Sequence, residues 1–175
     1  MSDGDITSLW PVPVWLGHLD RVSLGSPRAW TVNDAQAAQR LPFVPLVQEA
    51  AVGVCAPGAG MRWSWDCTIS QWPSGFFVGA SHSEGEVRVV VILASDQVAE
   101  HPDSGALWIH DPRDGAANVT LPGLPWGRPF KLPGRAGMAL AVPGWLRWSV
   151  APLRAPHTMT VWTATASRAP TRKGR

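Results

Sequence analysis

Residues 71–93 read QWPSGFFVGASHSEGEVRVVVIL, and the fold hangs on them. The segment opens on a turn, Trp72-Pro73-Ser74-Gly75, and runs through apolar residues to Ala80-Ser81-His82. It turns again at Glu84-Gly85 and leaves as the β-branched run Val87–Leu93. β-branched residues suit a pleated, half-buried surface, so Phe76–His82 and Val87–Leu93 are expected to pair as a hairpin with His82 at its mouth. A lone histidine between two strong strands is where many β-barrel enzymes hold a metal ligand. The rest of the chain is therefore read for partners to His82.

Downstream of residue 61 the pattern is β throughout. Arg62–Gln71, Ala106–His110, Pro129–Leu132, Gly137–Val142, Leu146–Val150 and Thr158–Thr165 are short strand candidates separated by Pro and Gly turns. Seven or eight such strands predict a mainly β sandwich or jelly-roll barrel. Upstream, Leu9–Leu16 reads as an edge strand, because Pro11 and Pro13 cannot donate to a ladder, and residues 1–8 as a frayed end. Asn33 or Asp34 can cap a short helix through Gln39. Phe43–Val54 is the best helix candidate, with Pro45 tolerated in its first turn and Phe43, Leu46, Val47, Ala50 and Val54 on one apolar face.

Composition narrows the function classes. With 175 residues, one domain with a sizeable core is expected, spanning 1–166, followed by a basic flexible tail at 167–175. The net charge is +2, yet Arg168, Arg172, Lys173 and Arg175 supply four positives, so the body is slightly acidic and carries no nucleic-acid footprint. No apolar stretch approaches a membrane span, and no signal peptide is expected. Cys55 and Cys67 fit no metal spacing, and a cytoplasmic location argues against a disulfide. Eleven Trp with no Tyr is unusual and matches a GC-rich genome. Each indole also brings a large apolar area and an N–H that seeks a partner.

Three phrases, in order, carry a resemblance that covers nearly the whole chain. They are Leu9-Trp10-Pro11-Val12-Pro13-Val14, Trp108-Ile109-His110-Asp111-Pro112-Arg113, and Val142-Pro143-Gly144-Trp145-Leu146-Arg147-Trp148-Ser149-Val150-Ala151-Pro152. Together they resemble the 2-oxoglutarate/Fe(II)-dependent oxygenases, whose fold is a double-stranded β-helix, a cupin-like jelly roll. One or two helices are then expected on one sheet. The family's chemistry needs a facial triad of two ligands in H-x-H or H-x-D and a later histidine, with an arginine pairing the cosubstrate's far carboxylate. The resemblance places the first two ligands on Ala80 and His82, the late histidine on Trp148 and the arginine near Thr158. An alanine cannot bind a metal, and an indole N–H only donates. One ligand of three is left, so no metal site and no cofactor are expected.

Few other residues offer a replacement. His110 and Asp111 are adjacent and would point to opposite faces of a strand, with Asp111 better suited to capping a turn and pairing with Arg113. His18 and His101 read as bland. Ser74 and Ser149 show no base and acid partners for a triad. His157, in a Pro turn before the last strand, would reach the barrel mouth if it swung inward.

Strand alternation suggests what stands in place of iron. Trp72, Phe76, Val78, Ala80 and His82 share one parity, and Leu146, Trp148 and Val150 share a face. If His82 and Trp148 aim inward, Trp162 at the parity of Thr158 does too. The indoles then either plug the barrel of a scaffold or line an apolar, aromatic pocket with His82 as its titratable group. An inward Arg88 would hold a carboxylate or enolate, and an outward one would be solvated.

The expected catalytic residues are thus His82, Arg88 and His157. The expected substrate-binding residues are Trp72, Phe76, Ala80, Trp148, Thr158 and Trp162. The favoured function is a metal-independent cyclase, isomerase or dehydratase acting on a small apolar or aromatic molecule in bacterial specialised metabolism. A non-catalytic binding or partner protein on the same fold, and an iron oxygenase with a rearranged site, are the alternatives. No nucleic-acid or membrane partner is expected, and a homodimer stays open.

Overall fold

The computed structural model describes residues 4–9, 12–27, 30–55, 62–97, 100–113 and 128–169. The helices are a single turn, α1 (Arg21–Leu24), then α2 (Ala35–Gln39) and α3 (Val44–Cys55). The strands are β1 (Gly4–Leu9), β2 (Val12–His18), β3 (Trp63–Trp72), β4 (Val78–Ser81), β5 (Val87–Ser95), β6 (Leu107–Ile109), β7 (Phe130–Leu132), β8 (Met138–Pro143), β9 (Trp148–Val150) and β10 (Met159–Arg168). They form a six-stranded major sheet, ordered β1-β2-β8-β5-β10-β3, and a four-stranded minor sheet, ordered β4-β9-β6-β7. Every pairing is antiparallel. This is the double-stranded β-helix the sequence predicts.

The run Val87–Leu93 is apolar except at Arg88 because β5 lies inside the major sheet, between β8 and β10, and is covered on both faces. Val87, Val89, Val91 and Leu93 pack towards the helices, and Val90 and Ile92 pack into the space between the sheets. Arg88 interrupts that inward row. The inter-sheet core is filled by side chains such as Leu107, Ile109, Leu140, Val142, Val150 and Val161.

The outer face of the major sheet is covered by α2 and α3, which contact β3 and, for α3, β2, β5 and β8. Asp34 caps α2, its Oδ1 accepting the Ala37 N–H at 3.0 Å. Phe43, Val44, Val47 and Ala51 bury the inner side of this layer, whereas Leu46, expected on the same face, is exposed. Phe43 and Val47 are buried as predicted and Ala50 packs against the core, with Val44 and Ala51 added to the buried row, and the Val54 side chain lies outside the described set.

Several local expectations change. Phe76–His82 and Val87–Leu93 do not pair with each other: β4 belongs to the minor sheet and β5 to the major sheet, so the turn between them crosses from one sheet to the other. Residues 4–8, expected to fray, join Leu9 in β1, and β1 rather than β2 is the edge strand. The final strand extends to Arg168, whose Nε donates to Glu86 at 2.8 Å, so Ser167 and Arg168 belong to the sheet and not to a tail. Residues 170–175 lie outside the described set.

Candidate functional site

The crossing from β4 to β5 builds the site. Ser83 N–H donates to the Gly144 carbonyl at 2.9 Å, and Gly144 N–H donates to the Glu86 carbonyl at 2.7 Å. These bonds bring the β4–β5 turn against the β8–β9 turn. Both glycines are required by space. A Cβ at Gly144 would lie 1.7 Å from the Gly85 carbonyl oxygen, and one at Gly85 would lie 2.2 Å from Thr165 Cγ2. The contact carries the Trp145 carbonyl to His82, with 2.6 Å between that oxygen and Nδ1. A carbonyl only accepts, so Nδ1 carries the proton. In the neutral ring Nε2 is then left with its lone pair.

His82 stands at a cleft of about 680 Å³ in the barrel mouth. Arg88 and Trp148 form its inner wall, with Ser81, Ser83, Asp66 and Thr165 around them. The Arg88 guanidinium sits 5.5 Å above the Trp148 ring, and its Nη1 donates to Thr165 Oγ1 at 2.9 Å. Burial pushes its pKa down, and the nearby Asp66 charge works the other way. None of the ion pairs found among the described residues involves Arg88. Its buried Nε and the buried Ser83 Oγ have no hydrogen-bond partner.

His82, Arg88 and Trp148 therefore come together. The other expected site residues do not join them. A register shift in β4 explains Ala80: Val78 pairs with Val150 and Ser81 with Trp148, so β4 carries one extra residue. The extra residue reverses the alternation, leaving Ala80 exposed and Ser81 on the cleft. On β10 the inward parity belongs to Met159 and Val161. Trp162 consequently points the other way, under the helices, donating Nε1–H to the Ala38 carbonyl at 2.9 Å and meeting Phe43 edge-on at 5.3 Å. It neither plugs the barrel nor lines a pocket inside it. Thr158 is tied to the Asp96 carboxylate through its backbone N–H and its hydroxyl. Trp72 and Phe76 stack on each other at 4.7 Å, with Trp72 buried in the inter-sheet core, and neither lines the cleft.

His157 is fully buried and already committed. Ser95 Oγ donates to the Gly134 carbonyl at 2.6 Å, so it must accept the Nε2–H of His157, 2.9 Å away. Ser104 Oγ accepts the Arg154 N–H at 2.9 Å and donates to Nδ1 at 2.6 Å. Both ring nitrogens are satisfied in the neutral state, and burial holds the imidazole below its ordinary pKa. His157 does not swing to the barrel mouth.

Sequence reading missed Ser83, Thr165 and Asp66. Thr165 was within reach, since it shares the inward parity of Met159 and Val161. The cleft is also more polar than the expected aromatic pocket, because only Trp65 and Trp148 break a lining of Ser, Thr, Asp, Glu, His and Arg. Asp111 behaves as expected, accepting the Arg113 N–H at 3.1 Å and pairing with its guanidinium. His110 Nε2 lies 2.8 Å from Ser149 Oγ, a pair the sequence did not suggest.

The residues onto which the resemblance places the facial triad, Ala80, His82 and Trp148, do not supply three metal ligands. Trp148 sits directly across from Ser81 in the ladder and offers no lone pair to a metal. Among the described residues, no three His, Cys, Asp or Glu side chains converge as a metal site would require.

Comparison with solved structures supports the fold. A prolyl-4-hydroxylase from Pseudomonas putida aligns with TM-score 0.55 and 16% identity, covering 80% of this chain and 71% of that one. The non-heme alpha-ketoglutarate-dependent epimerase SnoN from nogalamycin biosynthesis aligns with TM-score 0.52 and 13% identity over 94% of this chain and 65% of its own. The Fe(II)/alpha-ketoglutarate-dependent dioxygenase TqaL gives TM-score 0.51 and 12% identity over 91% and 63%. The chain thus spans less than two thirds of the latter two. No protein-family model and no curated protein matches it.

Proposed function

We propose that this oxygenase-like double-stranded β-helix is a metal-independent enzyme that moves a proton on a small molecule held in the cleft. The observation that carries the reading is the tautomer of His82. The Trp145 carbonyl accepts a hydrogen bond from Nδ1–H, which leaves Nε2 as a base at the lip of a cleft whose inner wall holds Arg88. A neutral imidazole can take a proton near neutral pH and return it elsewhere. Isomerisation, ring closure and dehydration each need such a transfer and no redox centre. Arg88, in cation–π contact with Trp148, would stabilise the negative charge that develops on the substrate. A setting in bacterial specialised metabolism is part of the proposal.

The test is deuterium wash-in. The purified protein is incubated with a library of small metabolites in D2O and EDTA, and the products are read by mass spectrometry. Deuterium should enter a substrate or its product with the wild type and not with His82→Ala. Turnover that requires added Fe(II) and 2-oxoglutarate and releases succinate would overturn the proposal.

A further inference from the structure

We infer that Arg88, Ser83 and Thr165 form a socket for a single carboxylate group of the cleft's ligand. This deepens the reading of the cleft as a small-molecule site and rests on it.

The three residues face one space with hydrogen-bond donors to spare. Arg88 Nε is buried and unpartnered. Thr165 Oγ1 accepts from Arg88 Nη1, so its own O–H remains free to donate. Ser83 Oγ is buried without a partner, and its backbone is fixed by the bond to Gly144. Buried donors left unmatched are expensive, and a fixed guanidinium edge is matched by a planar anion with two acceptor oxygens. A carboxylate can place both oxygens on the Nε–H and Nη2–H edge of Arg88, whose Nη1 is held by Thr165, and has a further lone pair for Ser83. The cation–π contact with Trp148 helps hold the guanidinium in place in advance. A neutral carbonyl would satisfy one donor and leave the others bare.

The surroundings limit the ligand's charge. Asp66 and Glu84 also line the cleft, and a second anionic group placed there would meet like charge. The ligand is therefore a monocarboxylate. Its remaining body lies against Trp65 and Trp148 or extends towards solvent past His82.

The experiment uses three probes on the whole chain, 3-phenylpropionate, its neutral amide 3-phenylpropionamide, and glutarate, followed by titration calorimetry and by the Trp indole NMR signals. The socket predicts that 3-phenylpropionate binds and perturbs the Trp148 indole, with the amide and glutarate each roughly tenfold weaker or more. Arg88→Met should reduce carboxylate affinity by roughly tenfold or more and leave the amide unchanged. If Arg88→Met fails to fold, Ser83→Ala carries the test and should weaken the carboxylate several-fold. Equal binding of carboxylate and amide, indifferent to both substitutions, would sink the socket and leave the small-molecule cleft standing. Glutarate binding as tightly as 3-phenylpropionate would overturn the single-charge restriction. No response at the cleft to any probe would remove both the socket and the cleft reading beneath it.

Discussion

The guanidinium of Arg88 lies 5.5 Å over the ring of Trp148, the residue onto which the sequence resemblance places the late histidine. A cation on an aromatic face is stabilised by the ring's quadrupole, and a metal dication in the same space would be repelled by the arginine. The two residues belong to different sheets, so their contact also ties the barrel together at its mouth. Truncating Trp148 to Ala removes a buried aromatic ring and the seat of Arg88. Unfolding in urea should show a loss of about 3–5 kcal/mol, whereas Trp148→Phe should retain most of the stability and weaken ligand binding only moderately.

Trp162 provides the contrast. It is buried on the far side of the major sheet, bonded to the Ala38 carbonyl and set against Phe43. Replacing it with Phe deletes the indole donor and leaves a buried carbonyl short of a partner. Stability should fall by about 1–3 kcal/mol, measured by thermal or chemical unfolding, while the carboxylate probe binds as in the wild type. A large change in probe affinity with unchanged stability would contradict the placement of Trp162 outside the barrel.

His157 makes a pH prediction with a definite sign. Its folded pKa lies below the ordinary imidazole value of 6.5 because burial penalises the charged ring. Between the two values the unfolded chain binds more protons than the folded one, so stability rises with pH there. Stability should thus be level above about pH 6.5 and fall as pH drops towards the folded pKa. His110, also lowered by burial and by the Arg147 charge, acts in the same direction. Ser104→Ala removes the hydroxyl that donates to His157 Nδ1. It should cost about 1–3 kcal/mol at neutral pH and flatten this slope, as read from denaturation midpoints across the pH series.

Gly144→Ala tests the contact that fixes His82. The added methyl would fall 1.7 Å from the Gly85 carbonyl oxygen, a backbone atom that cannot rotate away. The two turns should separate, destabilising the protein and freeing His82 from the Trp145 carbonyl. Loss of proton-transfer activity should therefore accompany a mixed tautomer at His82. Unaltered stability and an unaltered His82 spectrum would show that the turns are not held together as described.

The fold was legible because its strongest signals were local. Val87–Leu93 is mostly β-branched, Asp34 stands one residue before a short helix, and Pro143-Gly144 ends a strand cleanly. The site was only half legible. His82 stood out as the lone histidine beside a turn, but the facing of Arg88 stayed open, and parity misassigned Ala80 and Trp162. One extra residue in β4 reversed the faces, and Met159 rather than Thr158 holds the inward position on β10. Ser83 gave no signal at all, since a serine in a polar turn becomes a buried donor only when Gly144 closes over it.

The central claim is that His82 is a free base set by a backbone carbonyl and not the remnant of a metal site. Long-range proton–nitrogen NMR of the imidazole, recorded at alkaline pH with and without stoichiometric Zn(II), tests it most directly. The account predicts a proton on Nδ1, a bare Nε2 and no change on adding the metal. A proton on Nε2, or a stoichiometric zinc shift at His82, would contradict it.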